Sequence, residues 1–159
     1  MNMKKRIALI TGATSGIGEA CARRFAMGGY NIIVTGRNRK RLDEMKKELE
    51  AEGADVLTLC FDVRDRAQTK EAVESLGEEW QAVDVLINNA GLARGLEPEY
   101  DGDFTDWDEM IDTNIKGLLN MTRLIVPGMV ERDHGQVINI GSVAGDAAYA
   151  GGGVYCATK

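Results

Sequence analysis

The chain has 159 residues, a formal net charge of −6, 44% apolar residues and 28% charged residues. That length supports one domain, residues 1–159, with its own hydrophobic core. The acidic balance argues against a nucleic-acid partner, which would call for positive surface to release counterions from phosphates. No apolar run approaches the length that spans a bilayer. Met1–Arg6 is basic, but the apolar run behind it, Ile7–Ile10, is too short for a secretory leader. Cys21, Cys60 and Cys156 are too widely spaced for a metal or disulfide pattern, so no metal is expected and a reducing cytoplasm is.

Strand-like and helix-like segments alternate along the whole chain. Lys5–Ile10 is a short apolar run that ends in a glycine-rich turn, the pattern of a buried strand. Ile17–Met27 reads as a helix closed by Gly28-Gly29, and the β-branched Asn31–Thr35 as a second strand. Arg39–Glu52 is a charged helix with Leu42, Met45 and Leu49 on one face, ended by Gly53. Asp55–Phe61 is a third strand. Asp65 and Gln68 form a capping box for a helix that runs to about Trp80. Asp84–Asn88 is a fourth strand. Thr105 and Asp108 make a second capping box, opening a long helix toward Arg132. Gln136–Gly141 is a fifth strand, a glycine-rich loop follows to Gly153, and Val154–Lys159 begins another helix. Such alternation implies right-handed βαβ units and a doubly wound, Rossmann-like parallel α/β sheet.

The turn after the first strand reads Thr11-Gly12-Ala13-Thr14-Ser15-Gly16-Ile17-Gly18. Its spacing is G-x-x-x-G-x-G between a strand and a helix, the context that makes a glycine motif credible. Gly12 permits the tight turn, Gly16 lets a phosphate approach the backbone, and Gly18 lets the helix pack closely. The free N–H groups and partial positive charge of a helix N-terminus suit a pyrophosphate. Folds that bind NAD usually carry an acid about 20 residues further on, for the ribose 2′-hydroxyl. Here Gly36-Arg37-Asn38 stands there, and no carboxylate follows until Asp43. An acid would repel a 2′-phosphate, whereas Arg37 can bind it through a charge-assisted pair, so NADP is the expected cofactor. Arg39, Lys40 and Arg41 read as a solvated helix start.

Asn88-Asn89-Ala90-Gly91 ends the fourth strand and Ser142 follows the fifth, both at the carboxyl edge where ligands bind in this architecture. Tyr155 and Lys159 are one helical turn apart and share a face. A phenol ordinarily titrates near pH 10, and an ammonium beside it favours the phenolate, which suits acid–base chemistry. Ser142 can hold a substrate oxygen while Tyr155 exchanges its proton.

Together these motifs resemble the short-chain dehydrogenase/reductase family. Thr11–Gly18 matches its cofactor loop, Asn88–Gly91 its N-N-A-G segment, and Tyr155-x-x-x-Lys159 its catalytic pair, with Ser142 at the catalytic serine. Asn114 falls at the family's asparagine, which holds a water joining the lysine to solvent. Thr35–Arg37, Asp62–Arg64, Asn88–Gly95, Met110–Gly117, Pro127–Arg132 and Tyr149–Lys159 resemble the branch that acts on 3-hydroxy acids with NADP. The resemblance implies that Gly12, Ala13, Thr14, Ser15, Gly16, Ile17, Gly18, Arg37, Asn38, Asp62, Val63, Asn89, Ala90, Gly91, Tyr155 and Lys159 hold NADP. Asp62 would accept from the adenine amino group, with Val63 against the ring. Asn114, Ser142, Tyr155 and Lys159 would be catalytic, with Ser142 and Tyr155 touching a small-molecule substrate. It also implies a homo-oligomer for a complete family member. A reductase of 3-oxoacyl carrier-protein thioesters and a non-catalytic NADP-binding fragment are the alternatives.

Members of the family continue beyond the catalytic lysine into further strands and a substrate-binding segment. The sequence ends at Lys159, so a C-terminally truncated enzyme with weak or no turnover is expected, and a fifth strand with an open edge. His134 reads as a structural residue at a helix end, Cys156 as packing, and Trp80 and Trp107 as anchors near helix ends. Arg94 could meet a substrate carboxylate, but a solvated loop arginine is the favoured account.

Overall fold

The computed structural model describes residues 5–159; Met1–Lys4, the start of the basic N-terminal stretch, lie outside the described residues. The strands are β1 (Ile7–Ile10), β2 (Asn31–Gly36), β3 (Val56–Cys60), β4 (Val83–Asn88) and β5 (Gln136–Asn139). The helices are α1 (Gly16–Met27), α2 (Arg39–Ala51), α3 (Arg66–Glu74), α4 (Phe104–Ile111), α5 (Leu118–Glu131) and α6 (Gly153–Thr158). All strand pairs are parallel, in the order β3-β2-β1-β4-β5. The chain works outward from β1 to β3, then crosses to the other side of β1 to lay down β4. A crevice opens at that reversal, over the carboxyl ends of β1 and β4.

Strand pleating divides the core between the two faces of the sheet. Ala8 and Ile10 of β1 pack with Ala22 of α1 and with Leu42, Met45 and Leu49 of α2. Ile7 and Leu9 face the other way, against Met121, Ile125 and Met129 of α5. Strands covered on both faces have no need of polar alternation, which is why β1 reads as an unbroken apolar run. β5 is the exception. It pairs with β4 alone among the described residues, and three of its four residues are exposed.

Several expected boundaries move. α3 stops at Glu74 rather than near Trp80, because Leu76 drops into the core and Gly77 starts a turn closed by a bond from Trp80 N–H to the Gly77 carbonyl (2.8 Å). The Asp65 cap forms, accepting from the N–H groups of Ala67 (2.9 Å) and Gln68 (3.0 Å). Gln68 returns its amide to the Asp65 carboxylate (3.0 Å) rather than to a backbone N–H. The cap of α4 is Asp103, accepting from Thr105 N–H (2.7 Å), not Thr105 itself. That start lets Phe104 meet the edge of Trp107, with centroids 5.1 Å apart. The long helix expected toward Arg132 is broken by a π-helical segment, Asp112–Gly117. Gly117 presses so close to Val63 that a Cβ there would lie 2.7 Å from Val63 Cγ2. His134 Nε2 pairs with Asp84 Oδ1 at 3.4 Å, fixing the turn before β5 to the start of β4. Among the described residues no helix is long and apolar enough to cross a membrane.

Leu9 has no solvent exposure and contributes to the core on the α5 face. Leu9→Ala is expected to cost roughly 2–5 kcal/mol, from lost transfer energy and the cavity left behind. Urea unfolding should show a lower midpoint at an unchanged slope.

Candidate functional site

A cleft of about 940 Å³ lies over the carboxyl ends of the strands. That is within the range of cofactor and small-molecule sites, roughly 300–1,000 Å³. Its floor and walls come from the turn after β1, the end of β2, the end of β3, the segment after β4, the end of β5, and α6.

The turn after β1 is shaped by its contact with β4. Thr11 Oγ1 accepts from the N–H groups of Asn89 and Ala90, each at 3.0 Å. The Asn89 side-chain amide donates to the carbonyls of Thr11 (2.9 Å) and Gly12 (3.0 Å). Gly12 sits at φ +61°, and a Cβ there would lie 2.8 Å from Ala90 Cα. At Gly18 a Cβ would lie 2.4 Å from both Asn89 Nδ2 and the Gly12 carbonyl oxygen, so this glycine admits the asparagine rather than the sheet. Gly16 differs from both: at φ +56° its missing Cβ would meet nothing within 4 Å. Ser15 caps α1 without a side-chain bond. The first N–H groups of α1 therefore stand without a side-chain cap beside the cleft, in the arrangement that favours a phosphate. Ala13 is wholly buried, its N–H donating to the Thr35 carbonyl (2.9 Å). Ala13 and Gly18 stand behind the lining rather than in it.

At the end of β2, Arg37, Asn38, Arg39 and Lys40 line the cleft mouth. The Arg37 side chain is 60% exposed, with Nη1 at 3.7 Å from Asp62 Oδ2. Asn38 caps α2, accepting from Arg41 N–H (3.1 Å). Arg41 departs from the expected solvated helix start. Its guanidinium binds Glu19 (2.8 Å), Glu44 and Glu48 (3.4 Å each) and donates to the Thr14 carbonyl (3.4 Å), so it ties α2 to α1 and to the turn after β1. Hydrogen bonds from Arg41, then Arg23, hold the Glu19 carboxyl below its ordinary value.

Asp62 and Val63 follow β3 in the lining. Arg64 clamps the Asp62 carboxylate with Nε (3.0 Å), Nη2 (2.7 Å) and its backbone N–H (3.0 Å). Burial pulls this carboxyl upward, and the hydrogen bonds and charge of Arg64 outweigh it, so Asp62 titrates below its ordinary value. Arg64 also binds Glu109 (2.9 Å), whose other oxygen holds Arg94 (3.0 Å). Arg94 is thus an ion-paired loop residue rather than a freely solvated one.

Tyr155 and Lys159 of the last helical turn line the far end of the cleft with Gly91, Leu92, Ala93, Ile140 and Gly141. Lys159 Nζ donates to the Ile140 carbonyl (2.7 Å), leaving hydrogens free. Asn114 lies in the π segment, buried and outside the lining. Its amide exchanges both bonds with the Leu92 backbone (2.9 Å each) and donates to Thr158 Oγ1 (2.9 Å). Ser142 is half-buried beside Gly141 and also outside the lining, its Oγ accepting from Ala144 N–H (3.2 Å). Sequence reasoning missed Thr35, Gly36, Phe61, Leu92, Ala93, Thr113, Ile140 and Gly141 in the lining, and it read Arg39 and Lys40, which also line the cleft, as a solvated helix start. Most follow or end a strand, so the rule placing ligands at carboxyl strand ends would have found them. Thr113 carries no such signal.

The short chain dehydrogenase family model matches residues 6–159, and the chain belongs to that family. It is 56% identical over 153 residues to the NADP-dependent 3-hydroxy acid dehydrogenase YdfG of Salmonella typhi, which covers 96% of this chain and 60% of the relative. It is 47% identical to sulfoacetaldehyde reductase 2 of Chromohalobacter salexigens, covering 96% of this chain and 61% of the relative. Among solved structures, the closed form of a serine dehydrogenase complexed with NADP+ is 54% identical with a TM-score of 0.92, over 96% of this chain and 60% of that one. The chain therefore spans about three-fifths of the length of the curated relatives it matches.

The contact between Gly12 and Ala90 sets a first test. Gly12→Ala combines a positive φ with a backbone clash and is expected to cost roughly 1–3 kcal/mol, read as a fall in the urea midpoint. Glu19 sets a second. Because its folded pKa is depressed, its ion pairs contribute stability above the ordinary value of 4.5, and that contribution is lost as pH falls through the lower folded value. Stability curves from pH 7 to 2 should show Glu19→Gln less stable near neutrality and converging on the parent in acid.

Proposed function

We propose that this chain is the NADP-binding part of an oxidoreductase that interconverts a small 3-hydroxy acid, such as serine, L-allo-threonine or 3-hydroxypropionate, with its oxo acid. The observation that carries the reading is a single cleft with an exposed arginine at one end and Tyr155 with Lys159 at the other, bridged by an uncapped helix N-terminus. The residues fit a dinucleotide phosphate. Gly16 offers backbone with open space above it, and Arg37 stands where an acid would select against a 2′-phosphate. The relatives named above, an NADP-dependent dehydrogenase and a structure complexed with NADP+, support the same cofactor.

When bound, NADP(H) accepts or supplies the hydride. The Gly12–Ile17 turn would hold the pyrophosphate, Arg37 the 2′-phosphate, and Asp62 and Val63 the adenine. Ser142 uses its oxygen to accept from Ala144 N–H and keeps its own hydrogen for the substrate oxygen. Tyr155 gives a proton to that oxygen in reduction and takes it in oxidation. Lys159, positioned by the Ile140 carbonyl, brings its positive charge to the same end of the cleft as Tyr155. Asn114 holds the Leu92 backbone and the last turn of α6 in register, which positions Lys159. The free thiols of Cys21, Cys60 and Cys156 fit a reducing cytoplasm, and a homo-oligomer is part of the same reading.

NADPH oxidation with malonic semialdehyde, beside L-serine with NADP+ and an acetoacetyl thioester with NADPH, tests the proposal. In the oxidoreductase of which this chain is the NADP-binding part, turnover is expected with the two acids and not the thioester, whereas the 159-residue chain alone is expected to bind NADPH with weak or no turnover. Tyr155→Phe should lower the rate by roughly 10²–10⁴-fold, the share general acid–base catalysis supplies, while NADPH still binds. Preference for the thioester, or equal rates with and without the phenol oxygen, contradicts it.

A further inference from the structure

We propose that the first turn of α2 completes the 2′-phosphate subsite, with Arg39 and Lys40 joining Arg37, so that NADP preference rests on three cations. The inference depends on reading the cleft as an NADP site.

Arg37 is a compromised anion site by itself. Its Nη1 lies 3.7 Å from the Asp62 carboxylate, which is ionised at neutral pH and only 24% exposed. A phosphate monoester brings a charge of about −1.5 to −2 near pH 7, and Asp62 already draws on the one cation assigned to meet it. Some further positive charge has to face the ligand.

The next residues supply it. Arg39 and Lys40 both line the cleft beside Arg37 and Asn38. They occupy the first turn of α2, where the helix dipole disfavours cations, and that turn contains no acid to offset them. Arg41, in the same turn, has its reason: Glu19, Glu44 and Glu48 surround it. Neither Arg39 nor Lys40 has a carboxylate within ion-pairing distance among the described residues. The bond Arg39 makes is a long one, from Nη1 to the neutral Thr58 hydroxyl at 3.5 Å, which leaves its charge unmatched. Two unmatched cations are thus held, against the dipole, at the mouth of the cleft next to the arginine that faces the 2′-phosphate. A dianionic ligand group there removes the repulsion among them and offsets the pull of Asp62 on Arg37. The mixture of donors also suits the ligand. Arg39 presents a planar fork to phosphate oxygens, and Lys40 a flexible point charge.

The test is a fluorescence titration of the chain with NADPH and with NADH, for the parent, Arg39→Gln, Lys40→Gln and the double variant. The quantity read is the ratio of the NADH to the NADPH dissociation constant. Each single change is expected to lower that ratio about three- to fivefold, the worth of one exposed charge pair, and the double about tenfold or more. A double variant with the parent's ratio overturns the inference and leaves the NADP reading standing. A parent that shows no preference for NADPH overturns the reading itself, and the inference with it. Both side chains are exposed on a helix start, so the variants are expected to fold, and matching circular dichroism melts check this.

Discussion

The contact between the turn after β1 and the end of β4 governs the site. Thr11 and Asn89, 78 positions apart, exchange backbone and side-chain bonds at 2.9–3.0 Å. The contact is possible because neither Gly12 nor Gly18 carries a Cβ where the Asn89–Ala90 segment presses in. Asn89 spends its amide on the carbonyls of Thr11 and Gly12 in the turn after β1, leaving the N–H groups at the start of α1 for the cleft. It is therefore first a brace that sets the shape of the loop. The switch of chain direction between β1 and β4 is what brings the two segments side by side.

Charge is distributed along the cleft with similar economy. Arg41 is drawn away into a cluster with Glu19 and Glu48 that packs α2 on α1. A second chain of pairs runs from Asp62 through Arg64 and Glu109 to Arg94, from the end of β3 across α4 to the loop after β4. These are half-exposed pairs, worth little individually. Their effect is to hold Asp62 ionised and oriented while Arg37 stays largely in solvent, facing the cleft mouth.

Much of this was legible in the sequence, for identifiable reasons. Buried parallel strands leave unbroken apolar runs, so Ile7–Ile10 and Ile32–Val34 announced the sheet. The glycine spacing after the first strand announced the turn, and most residues of the cleft lining were named from motifs. What was not legible depends on partners distant in sequence. The π segment exists where Gly117 meets Val63 and Asn114 meets Leu92. Nothing in Asp112–Gly117 itself departs from a helical pattern, and such bulges tend to mark functional sites. Arg41 looked like its neighbours until Glu19 and Glu48 were placed beside it. Thr105 made a plausible cap until Asp103, two residues earlier, took the same role. The fold also separates residues that the motifs group together: Asn114 is buried behind the wall that Tyr155 and Lys159 line, and the half-buried Ser142 sits at its edge, next to Gly141.

On the proposed reading one cleft, from Gly12–Ile17 through Arg37 and Asp62 to Tyr155, receives a dinucleotide. Amide hydrogen exchange with and without saturating NADPH tests it most directly. Slowed exchange is expected at Gly12–Ile17, at Arg37–Asn38, at Asp62–Val63 and in the turn that carries Tyr155, with the outer face of α5 unchanged. Protection confined to other surfaces, or none at NADPH concentrations that bind, would contradict it.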